Sequence, residues 1–474
     1  MQRPHCTPRC AALITLTLFL AGCQTYSPMP LDLQQRAAEW AQRSLDDPAI
    51  AQLAARFPDT AEGEARRRTS GIEDQWPYDP ADGLSLREAE PVALVFSPDL
   101  RAQRLRAQVP LAGAEFAGLW DDPELDGDLL RFLNSMDDPW ILGLGISFTV
   151  PLSGRLRVEE DQAWAEAEHA WLTAAKSEWE LLEALRVKWI DWSALEWRVR
   201  ILDDYLAELT PLAESVSRLV EVGEVDPASA RLLEIDRVRR TFERARLASQ
   251  EERARLELLT LMGLTAEADI ELIPVSLWDE GTHVPDISEI EAFAAHPDAR
   301  LAQAAYDRAE LALDREIVKQ YPDLTIGPRF EDEEGQSRLG LGFGLPLPLW
   351  NRNHRGIAEA LAQRDAAAAE VDAVLQRLRA EFHATSVTWE AASDLAFQTP
   401  RLLWPLVEAQ LEELRGLAEL GEVDVLLLRE ALAGVVEAEL AAVDAMQARA
   451  EAAARIESIA NPRWAVPQPV HPEE

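Results

Sequence analysis

The chain has 474 residues, with 84 Asp and Glu against 46 Lys and Arg, and its formal net charge is -38. A chain this acidic is repelled by phosphate backbones, so we expect no nucleic-acid partner. The seven histidines and three cysteines show no metal-ligand spacing, and no nucleophile or phosphate-binding motif is present, so we expect no enzyme, cofactor or metal centre. The excess of carboxylates is typical of solvated helix faces, or of a duct that favours cations.

The N-terminus has the pattern of a signal peptide. Arg3 and Arg9 precede an apolar run that is too short to remain as a membrane span. The residues at 20–23 are Leu-Ala-Gly-Cys, which resembles the cleavage box of bacterial lipoproteins, in which the cysteine becomes the acylated first residue. We therefore predict a signal peptide over 1–22 and lipidation of Cys23.

Cys23 begins an N-terminal extension that we place over 23–83. Stable anchoring needs more than one acyl chain, such as palmitate, because one chain binds a membrane only weakly. Gln24 follows the cysteine, whereas bacterial lipoproteins kept in the inner membrane usually carry aspartate there, so Gln24 favours the outer membrane. Cys6 and Cys10 lie inside the signal peptide, so the mature chain has no disulfide framework.

Beyond the signal peptide the sequence repeats itself with a period of about 198 residues, far longer than a solenoid unit, which indicates a duplicated half. The recurring landmarks keep the same order. They are Pro98-Asp99 with Pro297-Asp298, Pro123-Glu124-Leu125 with Pro322-Asp323-Leu324, Gly143-Leu144-Gly145 with Gly340-Leu341-Gly342, Pro151 with Pro348, Arg155 with Arg352, and Gly223-Glu224-Val225-Asp226 with Gly421-Glu422-Val423-Asp424. We place the first structural repeat over 84–264, a linker over 265–288, the second repeat over 289–462 and a loose tail over 463–474.

Each repeat contains a pair of short alternating segments. No apolar run after the signal peptide is long enough for a transmembrane helix, so any later membrane insertion must use strands. Alternation with period two predicts half-buried strands over 124–133, 140–150, 324–330 and 339–345. Polar, acidic hairpin turns are predicted over 134–139 and 331–337.

A water-soluble sheet would show the same alternation, but three features favour a membrane. The two segments of the first half are 10 and 11 residues long, which suits tilted transmembrane strands. Their second face is mostly Gly, Ser and Thr, as in a wet lumen. Four strands cannot close a barrel, and an open edge in lipid leaves backbone groups unsatisfied, so the strands would have to be pooled between subunits.

Long helical stretches follow the strand pairs, over 154–222 and 355–420. Each approaches roughly 100 Å and pairs with a returning helix of its own repeat. Pro211, Pro400 and Pro405 are expected to kink or interrupt the outgoing helices. Apolar stripes at helical spacing predict the packed faces, with Trp164, Trp171, Trp179 and Trp189 on the first outgoing helix, Ile235, Val238, Phe242 and Ala245 on the first returning helix, and Leu428, Leu432, Val436, Leu440 and Val443 on the last helix.

The repeated Gly-Glu-Val-Asp run marks the turns of these helical hairpins. Gly223 and Gly421 suit the C′ position after the outgoing helix, where a left-handed backbone is common. Asp226 and Asp424 suit the N-cap of the returning helix, where a carboxylate accepts hydrogen bonds from free backbone N–H groups.

A lipoprotein signal followed by two halves, each with a helix, a strand hairpin and a long helical hairpin, resembles the TolC-like outer-membrane factor family. The most specific segments are 84–89 with 98–100, the strand exits 150–152 and 347–349, and 258–263. The resemblance implies a mainly α fold with a small β part and internal duplication. In that fold three chains pool four strands each into a twelve-stranded transmembrane β-barrel, long antiparallel helical hairpins form an α-barrel, and the linker 265–288 is equatorial.

The resemblance also implies partners and a location. The family forms homotrimers that do no chemistry, are held in outer-membrane lipid and extend into the periplasm. There they meet a periplasmic adaptor (membrane fusion) protein and an inner-membrane pump that supplies the energy.

The family narrows its tunnel near the helical turns with acidic residues. Asp424 matches the position of an aperture aspartate, Asp226 is its equivalent in the first half, and the second aspartate of the family pattern is Leu427 here. Symmetry-related carboxylates around a narrow axis repel one another and attract cations. Helix capping explains either aspartate equally well.

The predicted function is therefore that of the outer-membrane channel of a tripartite efflux system, which passively conducts heavy-metal ions or small toxic compounds. Compact turns and the N-terminal extension favour the heavy-metal branch of the family. Two alternatives are kept. One is the same duct serving type I protein secretion, and the other is a non-transporting, lipid-anchored periplasmic coiled-coil scaffold.

Overall fold

A computed structural model of the chain describes residues 26–55, 78–131, 140–277, 289–333, 336–419 and 425–460. The predicted signal peptide, the lipidation site Cys23, the turn residues Gly421 and Asp424, and the C-terminal tail lie outside the described residues. The chain divides into two compact units, 1–44 and 45–474.

The first unit contains one described helix, α1 (Leu33–Ala41). It begins after Asp32, whose carboxylate accepts hydrogen bonds from the backbone N–H groups of Gln34 and Gln35 at 2.8 and 3.1 Å. Such a cap satisfies backbone donors that have no partner inside the helix.

The second unit is built from helices and one small sheet. Its helices are α2 (Pro48–Ala54), α3 (Leu86–Phe96), α4 (Pro98–Ala114), α5 (Arg155–Glu221), α6 (Pro227–Leu261), α7 (Glu289–Ala295), α8 (Pro297–Val318), α9 (His354–Gln398), α10 (Trp404–Glu419) and α11 (Val425–Ala460). Its strands are β1 (Glu124–Arg131), β2 (Trp140–Val150), β3 (Leu324–Glu333) and β4 (Gln336–Gly344). Each half of the sequence contributes an entry helix, two strands, a long outgoing helix and a returning helix.

The two outgoing helices respond differently to proline. Helix α5 has 67 residues and runs unbroken through Pro211, so no interruption occurs there. Leu209 and Ala213, on either side of the proline, are buried in one hydrophobic cluster, and this packing outweighs the lost backbone hydrogen bond. In the second half a π-helix over Thr399–Leu403, which contains Pro400, separates α9 from α10.

Helix α5 is the central element of the second unit. It packs against α4, α6, α8 and α11, and α11 packs in turn against α9 and α10. The predicted tryptophan stripe ends at Trp189, which is fully buried and donates its indole N–H to the backbone oxygen of Ile273 at 3.0 Å. The predicted stripe of α11 is also buried, since Leu428, Leu432 and Val436 join one core cluster.

The apolar stripe predicted on α6 does not pack within the chain, so this prediction is wrong. Ile235, Val238 and Phe242 are exposed, as is Ala245, although their spacing is helical. The other side of the helix, with Leu233 and Leu247, is buried instead. An amphipathic helix buries the side that its neighbour covers, so periodicity alone does not say which of two apolar stripes faces the core.

The four strands form one antiparallel sheet in the order β1-β2-β3-β4. Strands β2 and β3, from different halves of the sequence, pair at its centre. Strand β3 continues to Glu333 and β4 begins at Gln336, so most of the turn predicted over 331–337 is strand. Its polar residues still pair, Asp332 with Ser337 for example, because a strand ladder is made by the backbone.

The ladder between β2 and β3 is interrupted where Gly327 and Pro328 lie opposite Ile146 and Ser147. Proline has no N–H to donate to a ladder. The two strands approach so closely there that a Cβ on Gly327 would overlap the backbone oxygen of Ile146. Only glycine fits at 327.

We expect Gly327→Ala to destabilise the sheet by about 1–3 kcal/mol, because the backbone of β2 would have to move. Gly340→Ala is the matched control, since a Cβ at 340 meets nothing within 4 Å. The thermal midpoint of the purified protein, followed by circular dichroism, should fall for the first variant and stay constant for the second. Equal midpoints would contradict the close approach.

His296 caps helix α8 from inside the core. Its Nδ1 accepts a hydrogen bond from the backbone N–H of Asp298 at 3.2 Å, and its ring meets Trp179 edge-on at 4.8 Å between centroids. The residue is only 1% exposed, and its Nε2 has no hydrogen-bond partner among the described residues. Burial lowers the pKa of His296 from 6.5 to about 4, against the opposing charge of Asp298.

The lowered pKa of His296 predicts that the folded protein loses stability in acid. The unfolded chain takes up the proton at higher pH than the folded chain, so the free energy of unfolding should fall by on the order of 3 kcal/mol as the pH drops from about 6.5 to about 4. The variant His296→Asn keeps a side-chain acceptor for the helix cap and removes the imidazole that takes up the proton. Thermal midpoints measured across this pH range should decline more steeply for the unmodified protein, and parallel curves would refute the assignment.

Candidate functional site: the sheet and the helical turns

The register of the sheet places apolar side chains on one face across all four strands. Leu125 pairs with Ile146, Leu144 with Phe330, and Ile326 with Phe343. These side chains stand in solvent within the single chain, as Phe343 shows with 81% exposure. The exposed members of the face are Leu125, Leu129, Trp140, Leu142, Leu144, Ile146, Phe148, Phe330, Leu339, Leu341 and Phe343. A continuous exposed apolar face of this kind marks a surface that another apolar phase or partner covers.

The opposite face carries glycine, small polar residues and paired charges. Arg329 of β3 reaches across β2 to Asp128 of β1 at 2.8 Å, and it also binds Glu331 at 3.1 Å. Gly143 lies beneath this bridge, and a Cβ there would come within 2.5 Å of the Asp128 carboxylate. The bridge therefore needs glycine below it, and its charges suit a wetted surface.

The two outer strands leave backbone groups unpaired. Among the described strands, β1 and β4 each pair on one side only. An edge of this kind is a template for pairing with another chain, and it is costly wherever water is absent. The backbone N–H and C=O groups along the outer sides of β1 and β4 therefore lack a strand partner among the described strands.

The first helical turn has the geometry of a C-terminal glycine cap. Gly223 has φ 82°, its N–H donates to the oxygen of Val220 at 3.0 Å, and the N–H of Glu224 donates to the oxygen of Leu219 at 3.0 Å. This pair of bonds satisfies carbonyls that α5 leaves free. Substituting Gly223 would force a side chain into the left-handed region.

Asp226 lies at the start of α6 as its N-cap. Its Oδ2 accepts a hydrogen bond from the backbone N–H of Ala228 at 3.2 Å. The equivalent turn, with Gly421 and Asp424, lies outside the described residues, and α11 begins at Val425. The structure thus assigns capping to Asp226, and the aperture role of both aspartates stays a prediction.

A buried polar cluster that the sequence analysis missed joins three helices above these turns. The hydroxyl of Tyr205 on α5 donates to Asp236 of α6 at 2.6 Å, and Arg429 of α11 approaches the same carboxylate at 3.7 Å. The Nε of Arg429 is buried and has no hydrogen-bond partner within the described ranges. We call Tyr205, Asp236 and Arg429 the polar latch.

Electrostatics favour the neutral phenol of Tyr205 in the polar latch. Burial, followed by the hydrogen bond and charge of Asp236, raises the pKa of Tyr205 well above its usual value. Arg240 lies 5.8 Å from the centre of the Tyr205 ring and pairs with Glu243 at 3.0 Å and Glu437 at 3.8 Å. The sequence gives one sign of this cluster. Asp236 lies three residues after Leu233, which places its carboxylate on the buried side of α6.

Two kinds of site are absent from the part of the chain that the structure describes. No group of three or more His, Cys, Asp or Glu could hold a metal ion. No described helix combines the length and the apolar composition needed to cross a membrane.

Solved structures share this arrangement of helices and sheet. CusC, which forms a transmembrane channel, matches with a TM-score of 0.68 and 14% identity, over 79% of this chain and 91% of CusC. The outer membrane protein VceC from Vibrio cholerae matches with a TM-score of 0.66 and 16% identity, over 79% of this chain and 96% of VceC. The open outer membrane channel MtrE of Neisseria gonorrhoeae matches with a TM-score of 0.65 and 17% identity, over 79% of this chain and 88% of MtrE.

The chain therefore has the fold of the TolC-like outer-membrane channels. The resemblance inferred from the sequence is confirmed at this level, as are the long helices and the four-stranded antiparallel sheet. No model of a known protein family matches the sequence, so the likeness of fold depends on the three-dimensional comparison.

One relative matches part of the chain by sequence. The cobalt-zinc-cadmium resistance protein CzcC of Cupriavidus metallidurans is 24% identical over 163 residues, which are 33% of this chain and 37% of CzcC. The match spans little more than a third of that relative's length.

We expect Asp236→Ala to cost about 1–3 kcal/mol, because it leaves the buried Tyr205 hydroxyl and Arg429 without their acceptor. Asp203→Ala is the matched control. Asp203 joins the same two helices through exposed hydrogen bonds to Arg244 at 2.8 and 2.9 Å, and an exposed pair contributes under about 1 kcal/mol. Urea unfolding of both variants measures the difference, and equal losses would show that the polar latch adds nothing beyond a surface pair.

Proposed function

We propose that the chain is the outer-membrane channel component of a tripartite efflux system, passively conducting heavy-metal ions or small toxic compounds out of the periplasm. The single observation that carries this proposal is the two-faced sheet with unpaired edges. One face is apolar and exposed, the other is polar and rich in glycine, and among the described strands neither β1 nor β4 has a second neighbour.

Three copies of the sheet would give the backbone groups of its outer strands hydrogen-bond partners. Four strands are too few for a barrel, whereas twelve strands from three chains close one, with the polar faces inward. Strand β2 has 11 residues, which at about 3.3 Å each and a tilt near 40° covers about 28 Å, enough for the roughly 25 Å apolar band of outer-membrane barrels. The apolar face would then contact lipid and the polar face would line the duct.

The outer membrane is the location proposed for this barrel. Acyl chains on Cys23 would hold the N-terminus in the same membrane, and helices α5 and α9 would carry the duct into the periplasm. The periplasmic ends of the helical hairpins would meet an adaptor protein, which links the duct to an inner-membrane pump. Asp226 and Asp424 would lie near this end and attract cations to the aperture.

Heavy-metal ions are the cargo that two observations support. The partial match to CzcC is to a cobalt-zinc-cadmium resistance protein. The net charge of -38 suits a duct that concentrates cations over anions. The ions pass through as cargo and need no resident site.

Purification and conductance test the duct. Membranes should release the protein only with detergent, as a trimer, and the trimer should form ion-conducting pores in planar bilayers. A variant with Cys23→Ser should lose acylation and keep the pore, because the barrel holds itself in lipid. Release of a soluble monomer once the lipid is removed would contradict the proposal and favour the scaffold alternative.

Gene deletion in the native host tests the cargo. Growth should become more sensitive to zinc, cobalt and cadmium salts than to dyes and antibiotics, and the profile of secreted proteins should stay constant. Loss of a secreted protein with unchanged metal tolerance would instead identify a type I secretion duct.

A further inference from the structure

The loop that joins the sheet to α9 contains two successive left-handed residues that are not glycine. Arg352 has φ 42° and Asn353 has φ 53°, and such residues adopt this region only at an energetic cost. The side chain of Asn353 donates hydrogen bonds to the backbone oxygen of Glu316 at 2.8 Å and to its Oε2 at 2.7 Å. The loop is therefore fixed against the last turn of α8, and Arg352 directly precedes the residue that fixes it.

This fixed loop presents an aromatic and a cationic side chain to solvent. Trp350 is 90% exposed and Arg352 is exposed. Within the described residues neither side chain has an ion pair, a hydrogen bond or a ring contact. We call Trp350 and Arg352 the loop pair. Leaving a tryptophan ring in water forgoes the free energy of its burial, so its exposure indicates a surface that another phase or molecule covers.

The first half of the sequence has an arginine at the matching landmark, but that arginine is engaged. Arg155 is the first residue of α5 and binds three carboxylates. They are Asp121 at 2.7 Å, Glu159 at 3.3 Å and Asp323 at 2.9 Å. The second half has two more residues between the repeated proline and its helix, so Arg352 lies before α9 rather than inside it. The arginine of the repeat thus joins structural ion pairs in one half and stays unpaired, among the described residues, in the other.

The loop pair lies where the apolar face of the sheet ends. Every second residue from β4 into the loop is apolar and exposed, namely Leu339, Leu341, Phe343, Leu345, Leu347 and Leu349. Trp350 comes directly after this series, at the end of the sheet where the chain enters α9. In the proposed barrel this end faces the periplasm, so the loop pair would lie level with the lipid headgroups of the inner leaflet.

The charge of this segment favours an anionic partner. No Asp or Glu occurs between Glu334 and Glu359, although the whole chain has 84 acidic residues. Of the two arginines at the end of the loop, Arg355 pairs with Glu359 at 2.9 Å, and Arg352 has no carboxylate partner in the described part of the chain. A guanidinium is well suited to phosphate, because its planar fork donates two parallel hydrogen bonds.

We propose that the loop pair binds an anionic phospholipid of the membrane that the barrel crosses. Arg352 donates hydrogen bonds to the phosphate of the headgroup, and Trp350 lies beside it at the boundary between headgroups and acyl chains. Leu347 and Leu349 contact the acyl chains. Each copy of the chain carries one such site at the periplasmic end of the barrel. This inference rests on the proposed function, because it requires the apolar face of the sheet to lie in lipid.

Lipid binding to the purified protein tests the charge contact. Fluorescent phosphatidylglycerol, titrated in detergent solution, should bind the unmodified protein, and Arg352→Gln should weaken this binding about fivefold or more, because charge-assisted hydrogen bonds to the phosphate are lost. Arg355→Gln is the matched control. It removes the same charge three residues away, from an arginine that Glu359 already pairs, and should leave the affinity nearly constant. Equal affinities of the two variants, equal affinity for zwitterionic phosphatidylcholine, or displacement of the lipid by inorganic phosphate would overturn the inference.

A depth measurement tests the position of the loop independently. Trp350→Cys is made together with Cys23→Ser, which leaves one thiol in the mature chain, and is labelled with a bimane fluorophore after reconstitution in vesicles. Lipids brominated near the headgroup should quench this label. Val222→Cys is the control, because the 67 residues of α5 separate it from the sheet by about 100 Å, and its label should keep its fluorescence. An unquenched label at 350 in a conducting channel would refute the lipid contact.

Failure of this lipid site and failure of the duct give different results. If the unmodified chain is a soluble monomer that forms no pores, the proposed function itself is wrong. If it is a conducting trimer that binds phosphatidylglycerol equally well after Arg352→Gln, the duct stands and the loop pair is not a headgroup site.

Discussion

Unpaired backbone groups at the edges of a four-stranded sheet are the constraint on which the rest of the structure depends. In the proposed barrel, the apolar face of β2 and β4 would contact lipid, and lipid offers no hydrogen bonds to an open edge. Closure by further copies would satisfy both demands at once.

The two halves of the sequence follow the same plan, but their packing differs. The outgoing helix of the first half is continuous, because core residues hold it on both sides of Pro211, whereas the second half contains a π-helix at Pro400. The helix starts differ as well. Gly154 has φ 76° before α5, while Asn353 has φ 53° before α9 and binds Glu316 through its side chain at 2.7 Å, which offsets the cost of a left-handed non-glycine residue.

Ion pairs with a buried carboxylate join neighbouring helices. Arg186 of α5 binds Glu90 of α3 at 2.7 Å, and Arg104 of α4 binds Glu178 of α5 at 2.6 Å. Pairs of this kind are costly to break, because the remaining partner would stay buried and uncompensated. Together with the polar latch they tie α3, α4, α6 and α11 to α5, which makes α5 the common support of the sheet and of the helical turns.

The sequence by itself determined the strands, the long helices and the glycine turn at 223. These features depend on alternation, helical spacing and caps, which act within a few residues. Only the tertiary structure decided which stripe of α6 is buried, that Gly327 touches β2, and that Tyr205, Asp236 and Arg429 meet. Those outcomes depend on residues far apart in the chain, and a periodic pattern does not say which neighbour will cover it.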